Sequence, residues 1–163
     1  MQILLLRHGI AADTSPSGRD ADRALTIEGT RRLKLVLERA KCAGVAPTMI
    51  LSSPYRRARE TAELAARVLG YGEQILQTAA LEPGGRPEQV WEELRALRGE
   101  DQVLLSGHEP LFSALTAYLL NAPTLAVDFK KGALVRVDMP SLGAAPRGVL
   151  RWMLTPRLVM EEP

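Results

Sequence analysis

Short apolar runs alternate along this chain with longer stretches whose apolar positions recur at helical spacing. The runs Ile3–Leu6, Thr48–Leu51, Val103–Ser106, Ala133–Asp138 and Val149–Leu154 read as strands, with a further short one near Ile75. Helical patterns fill Ile27–Cys42, Pro54–Leu69, Pro87–Arg98 and Pro110–Leu120. The alternation predicts an α/β fold: a three-layer α/β/α sandwich around a mixed, mostly parallel sheet.

Helix boundaries carry their own signals. Thr26 can cap the first helix, and Ser53-Pro54 reads as a cap followed by proline at the first helical position. Pro87 and Pro110 open helices in the same way, while Gly44 and Gly70 stop them. Pro140, Gly143, Pro146 and Gly148 separate the last two strands. That connection is a loop, not a crossover helix, so an antiparallel hairpin is expected at one sheet edge. The polar stretch Asp13–Asp22 reads as a mobile flap, and Arg19 or Arg23 can meet a protein substrate.

Composition narrows the function classes. At 163 residues the chain reads as one domain, spanning 1–163. Its 21 Lys+Arg nearly balance 19 Asp+Glu for a net charge of +2, which gives no electrostatic case for nucleic acid or a membrane surface. The single cysteine, Cys42, excludes an intrachain disulfide and fits a reducing, cytoplasmic setting. Two histidines far from that cysteine offer no zinc spacing, and no phosphate-binding or dinucleotide glycine fingerprint is present, so neither a metal nor a cofactor is expected. Oligomeric state is not legible.

Chemistry gathers at three strand ends: Arg7-His8-Gly9, Ser52-Ser53-Pro54-Tyr55-Arg56-Arg57, and Ser106-Gly107-His108-Glu109-Pro110. If these strands are parallel, all three open on one edge of the sheet, where helix N-termini favour an anion. Glycine after His8 allows a sharp turn and the close approach of a ligand. Helical phase separates the two arginines of the second segment. Arg56 falls in line with Glu60, Glu63 and Arg67 on a solvated stripe, whereas Arg57 aligns with Thr61 and Leu64 beside the alanine face. Arg57 is therefore the one aimed at the strand ends.

With Leu25-Thr26-x-x-Gly29, Ser53-Pro54-x-x-Arg57-Ala58-x-x-Thr61, Gly107-His108-x-Pro110 and Trp152-x-Leu-Thr155-Pro156 added to Arg7-His8-Gly9, the chain resembles the histidine phosphatase (phosphoglycerate mutase-like) superfamily. Within it, the resemblance is to the small SixA-like phosphohistidine phosphatases. The motifs lie in family order and span almost the whole chain. The resemblance implies that His8 is the nucleophile, that Arg7, Arg57 and His108 bind the phosphoryl oxygens, and that no metal takes part. Glu82 and Glu109 are the candidates for a general acid, but a phosphorylated imidazole can leave as neutral imidazole and needs little help from one.

The favoured substrate is therefore phosphohistidine on a protein, such as a histidine phosphotransfer domain. A phosphatase of a small phosphomonoester is the alternative, and a phosphoryl-binding module without turnover is a third. Elsewhere the plain readings prevail: Cys42 as a packing residue, Trp91 and Trp152 as core or edge packing, Lys130-Lys131 as a solvated turn.

Overall fold

The computed structural model describes residues 1–160. Six strands form one sheet: β1 (Gln2–Arg7), β2 (Met49–Ser52), β3 (Leu76–Gln77), β4 (Gln102–Gly107), β5 (Leu134–Asp138) and β6 (Val149–Leu154). Their order is β3-β2-β4-β1-β5-β6. The first four run parallel, and β5 and β6 complete the sheet in antiparallel pairs. The expected edge hairpin is thus present, with a register shift between Arg136 and Val137.

Helices α1 (Ile27–Cys42) and α2 (Arg56–Leu69) cover one face, joined by the short α5 (Pro156–Val159). Helices α3 (Pro87–Ala96) and α4 (Leu111–Leu119) cover the other. Strand periodicity explains why β1 reads as unbroken hydrophobicity: Ile3 and Leu5 enter the α3/α4 core, while Leu4 and Leu6 enter the α1/α2 core. That alternation carries Arg7 toward one face and His8 toward the other. Among the described residues, no helix is long and apolar enough to cross a membrane.

Several boundaries differ from the sequence pattern. Helix α1 has the expected span, with the Thr26 hydroxyl accepting from the Gly29 N–H at 2.9 Å. Helix α2 begins at Arg56 instead of Pro54, because Ser53 turns its hydroxyl toward a histidine and Tyr55 takes the cap position without a side-chain bond. Pro110 is the residue before α4, not its first, and α3 ends two residues short of Arg98. The strand near Ile75 is Leu76–Gln77. Cys42, expected to pack, is exposed at the end of α1.

Close approach at one glycine fixes how α1 meets the chain leaving β1. A Cβ on Gly29 would stand 2.2 Å from the Ile10 carbonyl oxygen, so only glycine lets the helix start there. The same carbonyl accepts from the Thr26 N–H at 2.9 Å, which pins the exit of β1.

Candidate active site

Parallel β1, β2 and β4 end on the same edge, and the site assembles there. His8 is 6% exposed and His108 is 2% exposed, with ring centroids 5.0 Å apart. The Nδ1 of His8 lies 2.7 Å from the Gly9 carbonyl oxygen. A carbonyl only accepts, so Nδ1 carries the proton and Nε2 keeps its lone pair. That lone pair faces the Nε–H of Arg57 at 3.3 Å. The Gly9 N–H in turn donates to the Thr61 hydroxyl, which donates to the Arg57 carbonyl at 2.7 Å. One threonine thus ties the turn after β1 to the first turn of α2.

Helical phase separates the two arginines as the structure does, with Arg57 inward and Arg56 outward. The Arg57 side chain is 7% exposed, against 45% for Arg56, which pairs with Glu60. Glu60 is not merely solvated, since its second oxygen accepts from the Leu25 N–H at 2.7 Å. The terminal nitrogens of Arg57 reach the Asp20 carbonyl at 2.8 Å and the Asp20 carboxylate at 3.0 Å. Asp20 sits on a short 3-10 turn, Asp20–Asp22, within the stretch read as a flap. Arg19 pairs with Asp22 within that stretch, and Arg23, just after it, with Asp20 and the Ala12 carbonyl, so both arginines are engaged within the chain.

His108 is held by a relay. The Tyr55 N–H donates to the Ser53 hydroxyl, and that hydroxyl lies 2.8 Å from His108 Nε2. With Ser53 as donor to Nε2, the proton of His108 sits on Nδ1, which is buried and has no partner among the described residues. The Tyr55 ring meets His108 edge-on at 5.1 Å, and the Arg57 guanidinium lies 5.1 Å from the centre of that ring. Arg7 anchors one terminal nitrogen on the Phe129 carbonyl, while its buried Nε also lacks a partner. Unsatisfied buried donors are uncommon and call for an explanation. Here two of them, Arg7 Nε and His108 Nδ1, belong to the chain neighbour of His8 and to the imidazole centred 5.0 Å from it, while His8 Nε2 meets only the Arg57 Nε–H. The arrangement can hold a tetrahedral oxyanion and present its centre to a neutral nucleophile.

Of the residues named from sequence, Arg7, His8, Gly9, Arg57 and His108 come together. The roles of Ser53, Thr61, Asp20 and Tyr55 were not legible there. Ser53 and Thr61 are themselves positions of the Ser53-Pro54-x-x-Arg57-Ala58-x-x-Thr61 motif, which was the available signal. Among the described residues, no group of three or more His, Cys, Asp or Glu is placed to hold a metal ion.

A family model for the histidine phosphatase superfamily (branch 1) matches residues 3–83. The phosphohistidine phosphatase SixA of Escherichia coli strain K12 is 30% identical over 158 residues, covering 96% of this chain and 94% of that protein. This chain belongs to the histidine phosphatase superfamily. It stands in the SixA-like branch and is a phosphatase. An uncharacterized Picosynechococcus protein is 40% identical over 111 residues, 68% of this chain and 67% of its own length. A solved structure of the protein histidine phosphatase SixA complexed with tungstate superimposes with a TM-score of 0.87. It is 28% identical and is matched over 98% of this chain and 100% of that one. The expected fold class holds in this comparison as well as in the strand order.

Electrostatics in this histidine phosphatase keep both imidazoles neutral. Burial pushes His8 down to about 3, and the Arg57, Arg7 and Lys131 charges add to the shift against the opposing Gly9 bond. Burial likewise lowers His108 to about 3, helped by His8 and Arg57. The sign for stability follows directly. An unfolded histidine takes up its proton near pH 6.5, roughly, whereas these two do not until far lower. Between those limits the unfolded chain binds more protons, so stability falls as pH falls. Lowering the pH from about 7 to about 5 should cost roughly 2–4 kcal/mol, read from guanidinium unfolding midpoints in a buffer without oxyanions. His108→Asn should flatten the slope.

The two glutamates take different places. Glu109 accepts from the Ser113 N–H at 2.8 Å and from the Ser113 hydroxyl, closing the first turn of α4. Glu82 is half-buried in the turn after the short helix Ala79–Leu81. A Cβ on Gly107 would stand 3.2 Å from the Leu81 carbonyl oxygen, which sets this turn beside His108.

Proposed function

We propose that this phosphatase hydrolyses phosphohistidine on a protein through a covalent intermediate on His8. The observation that carries the reading is the buried His8 Nε2, which meets the Nε–H of Arg57, in a site where Arg7 Nε and His108 Nδ1 are buried without partners. In the first step the phosphorylated imidazole carries a solvent-derived proton on its other nitrogen; Nε2 forms a bond to phosphorus as the donor ring's N–P bond breaks, and that ring leaves as neutral imidazole. In the second, water attacks the phosphoryl group of phospho-His8, the N–P bond breaks, and phosphate and neutral His8 are regenerated. Phosphoryl transfer asks the protein mainly for in-line positioning and for charge on the equatorial oxygens, which two guanidiniums and an imidazole N–H can provide.

The substrate assignment is supported by the relatives and by the carboxylates. The curated relative is a phosphohistidine phosphatase, and the solved SixA structure holds tungstate, a tetrahedral oxyanion. Glu109 is committed to Ser113, and an imidazole protonated on its own ring leaves without an acid from either glutamate. Glu82→Gln and Glu109→Gln should each leave phosphohistidine cleavage within about threefold of wild type, with Glu109→Gln losing about 1 kcal/mol of stability as an altered helix start. Steady-state rates on a phosphorylated phosphotransfer domain and on an alkyl phosphate test the assignment. Fast alkyl phosphate turnover that collapses in either glutamine variant would favour a small phosphomonoester instead.

A further inference from the structure

Beside the phosphoryl pocket lies a second concavity of about 570 Å³. Its place follows from topology. Strand β5 starts, and β6 ends, on the same sheet edge where β1, β2 and β4 end. Residues Lys130–Gly132 lead into β5, Thr155–Arg157 follow β6, and the start of α1 closes the third side. The Gly132 N–H donates to the carbonyls of Arg7 and His8, at 3.2 and 3.0 Å, which makes this loop a direct neighbour of the catalytic motif.

The recess has a definite chemistry. Ile10, Leu33 and Pro156 supply apolar surface and Arg32, Lys130, Lys131 and Arg157 positive charge, while Arg7 and Gly9 of the catalytic motif form the wall it shares with the phosphoryl site. No acidic side chain lies among its lining residues. Arg32 and Lys130 have neighbouring carboxylates, Glu28 and Asp128, and among the described residues Lys131 and Arg157 have none at ion-pair distance. Lys131 is close enough for its charge to be felt at His8. The helices at the border carry exposed apolar residues: Ile27, the first of α1, is 92% exposed, and Leu158 in α5 is 73% exposed. Isolated exposed apolar residues are ordinary, but these two stand on α1 and α5, the same helices that contribute Arg32, Leu33, Pro156 and Arg157 to the recess.

From this juxtaposition we infer that the recess docks an acidic, amphipathic face of the phosphohistidine-bearing protein, resting on the function proposed above. His8, His108 and the Arg57 side chain are buried, so they present little surface to read the carrier beyond its phosphoryl group. Recognition of the carrier must then come from surface next to them. Charge complementarity selects an acidic partner face, and the apolar residues select one with hydrophobic positions between its carboxylates. Cations at the rim steer encounter and make it salt-dependent, without entering the chemical step.

Kinetics on two substrates test the inference. The Arg32→Glu/Arg157→Glu and Ile27→Ser/Leu158→Ser variants, checked for wild-type melting behaviour, are compared on a phosphorylated phosphotransfer domain and on phosphoramidate. Both should raise KM for the phosphoprotein by about tenfold, leaving kcat on it and kcat/KM for phosphoramidate within about twofold of wild type. Added salt should raise the wild-type KM for the phosphoprotein and have much less effect in the charge-reversed variant. An unchanged phosphoprotein KM overturns the docking proposal alone. Equal losses on both substrates also overturn it, since the residues would then act on the phosphoryl site or on a small polyanion. A wild-type chain that leaves the phosphoprotein intact overturns the function reading, and the docking proposal with it.

Discussion

His8→Ala is expected to lose phosphatase activity by about 10⁴-fold or more. The expectation does not depend on the motif alone. Nδ1 is committed to the Gly9 carbonyl, which leaves Nε2 as the ring's one nucleophilic atom, and burial keeps it unprotonated at neutral pH. No other imidazole can replace it, because Nε2 of His108 is occupied by Ser53. Oxyanion affinity should survive the substitution, since Arg7, Arg57 and His108 remain. Loss of turnover with retained tungstate binding is the signature of a missing nucleophile, and loss of both would indicate a collapsed pocket.

Arg57→Ala is the second large effect, a fall of about 10³-fold in kcat/KM. Arg57 is buried, donates toward His8 and binds Asp20 through both terminal nitrogens, so its removal acts on two elements together. The phosphoryl oxygens lose a charged donor, and the turn carrying Asp20 loses its tether to α2. Arg57→Lys restores charge without the planar fork, and should recover only a small part of the rate. Asp20→Ala provides the contrast: its carbonyl still accepts from Arg57, so activity should fall by about tenfold. Purified variants assayed on the same phosphoprotein separate these three outcomes.

What was legible in the sequence was whatever local periodicity and caps record. The span of α1 is encoded by Thr26 and by the burial rhythm of Leu33, Val36, Leu37 and Ala40. Arg57 was separable from Arg56 because burial on α2 follows helical phase, and the β5–β6 hairpin followed from a connection too rich in proline and glycine to be a helix. Asp20 was hidden because its partner lies 37 positions away, and such a pairing leaves no periodic trace. The start of α2 was misplaced for a related reason. Ser53 has the residue type of a helix cap, but its hydroxyl serves His108, 55 positions on, and the helix begins later. Cys42 is the last residue of α1, where helical phase no longer implies burial.

The central claim is that His8 carries the phosphoryl group, and rapid quenching tests it most directly. Wild type is mixed with a phosphotransfer domain labelled on its phosphohistidine, quenched in alkali during turnover, separated from substrate and mapped by mass spectrometry. The account predicts an acid-labile, alkali-stable phosphoryl group on His8, formed and discharged at rates compatible with turnover and absent from His8→Ala. Turnover that continues in His8→Ala, or a label that maps to another residue, would contradict it.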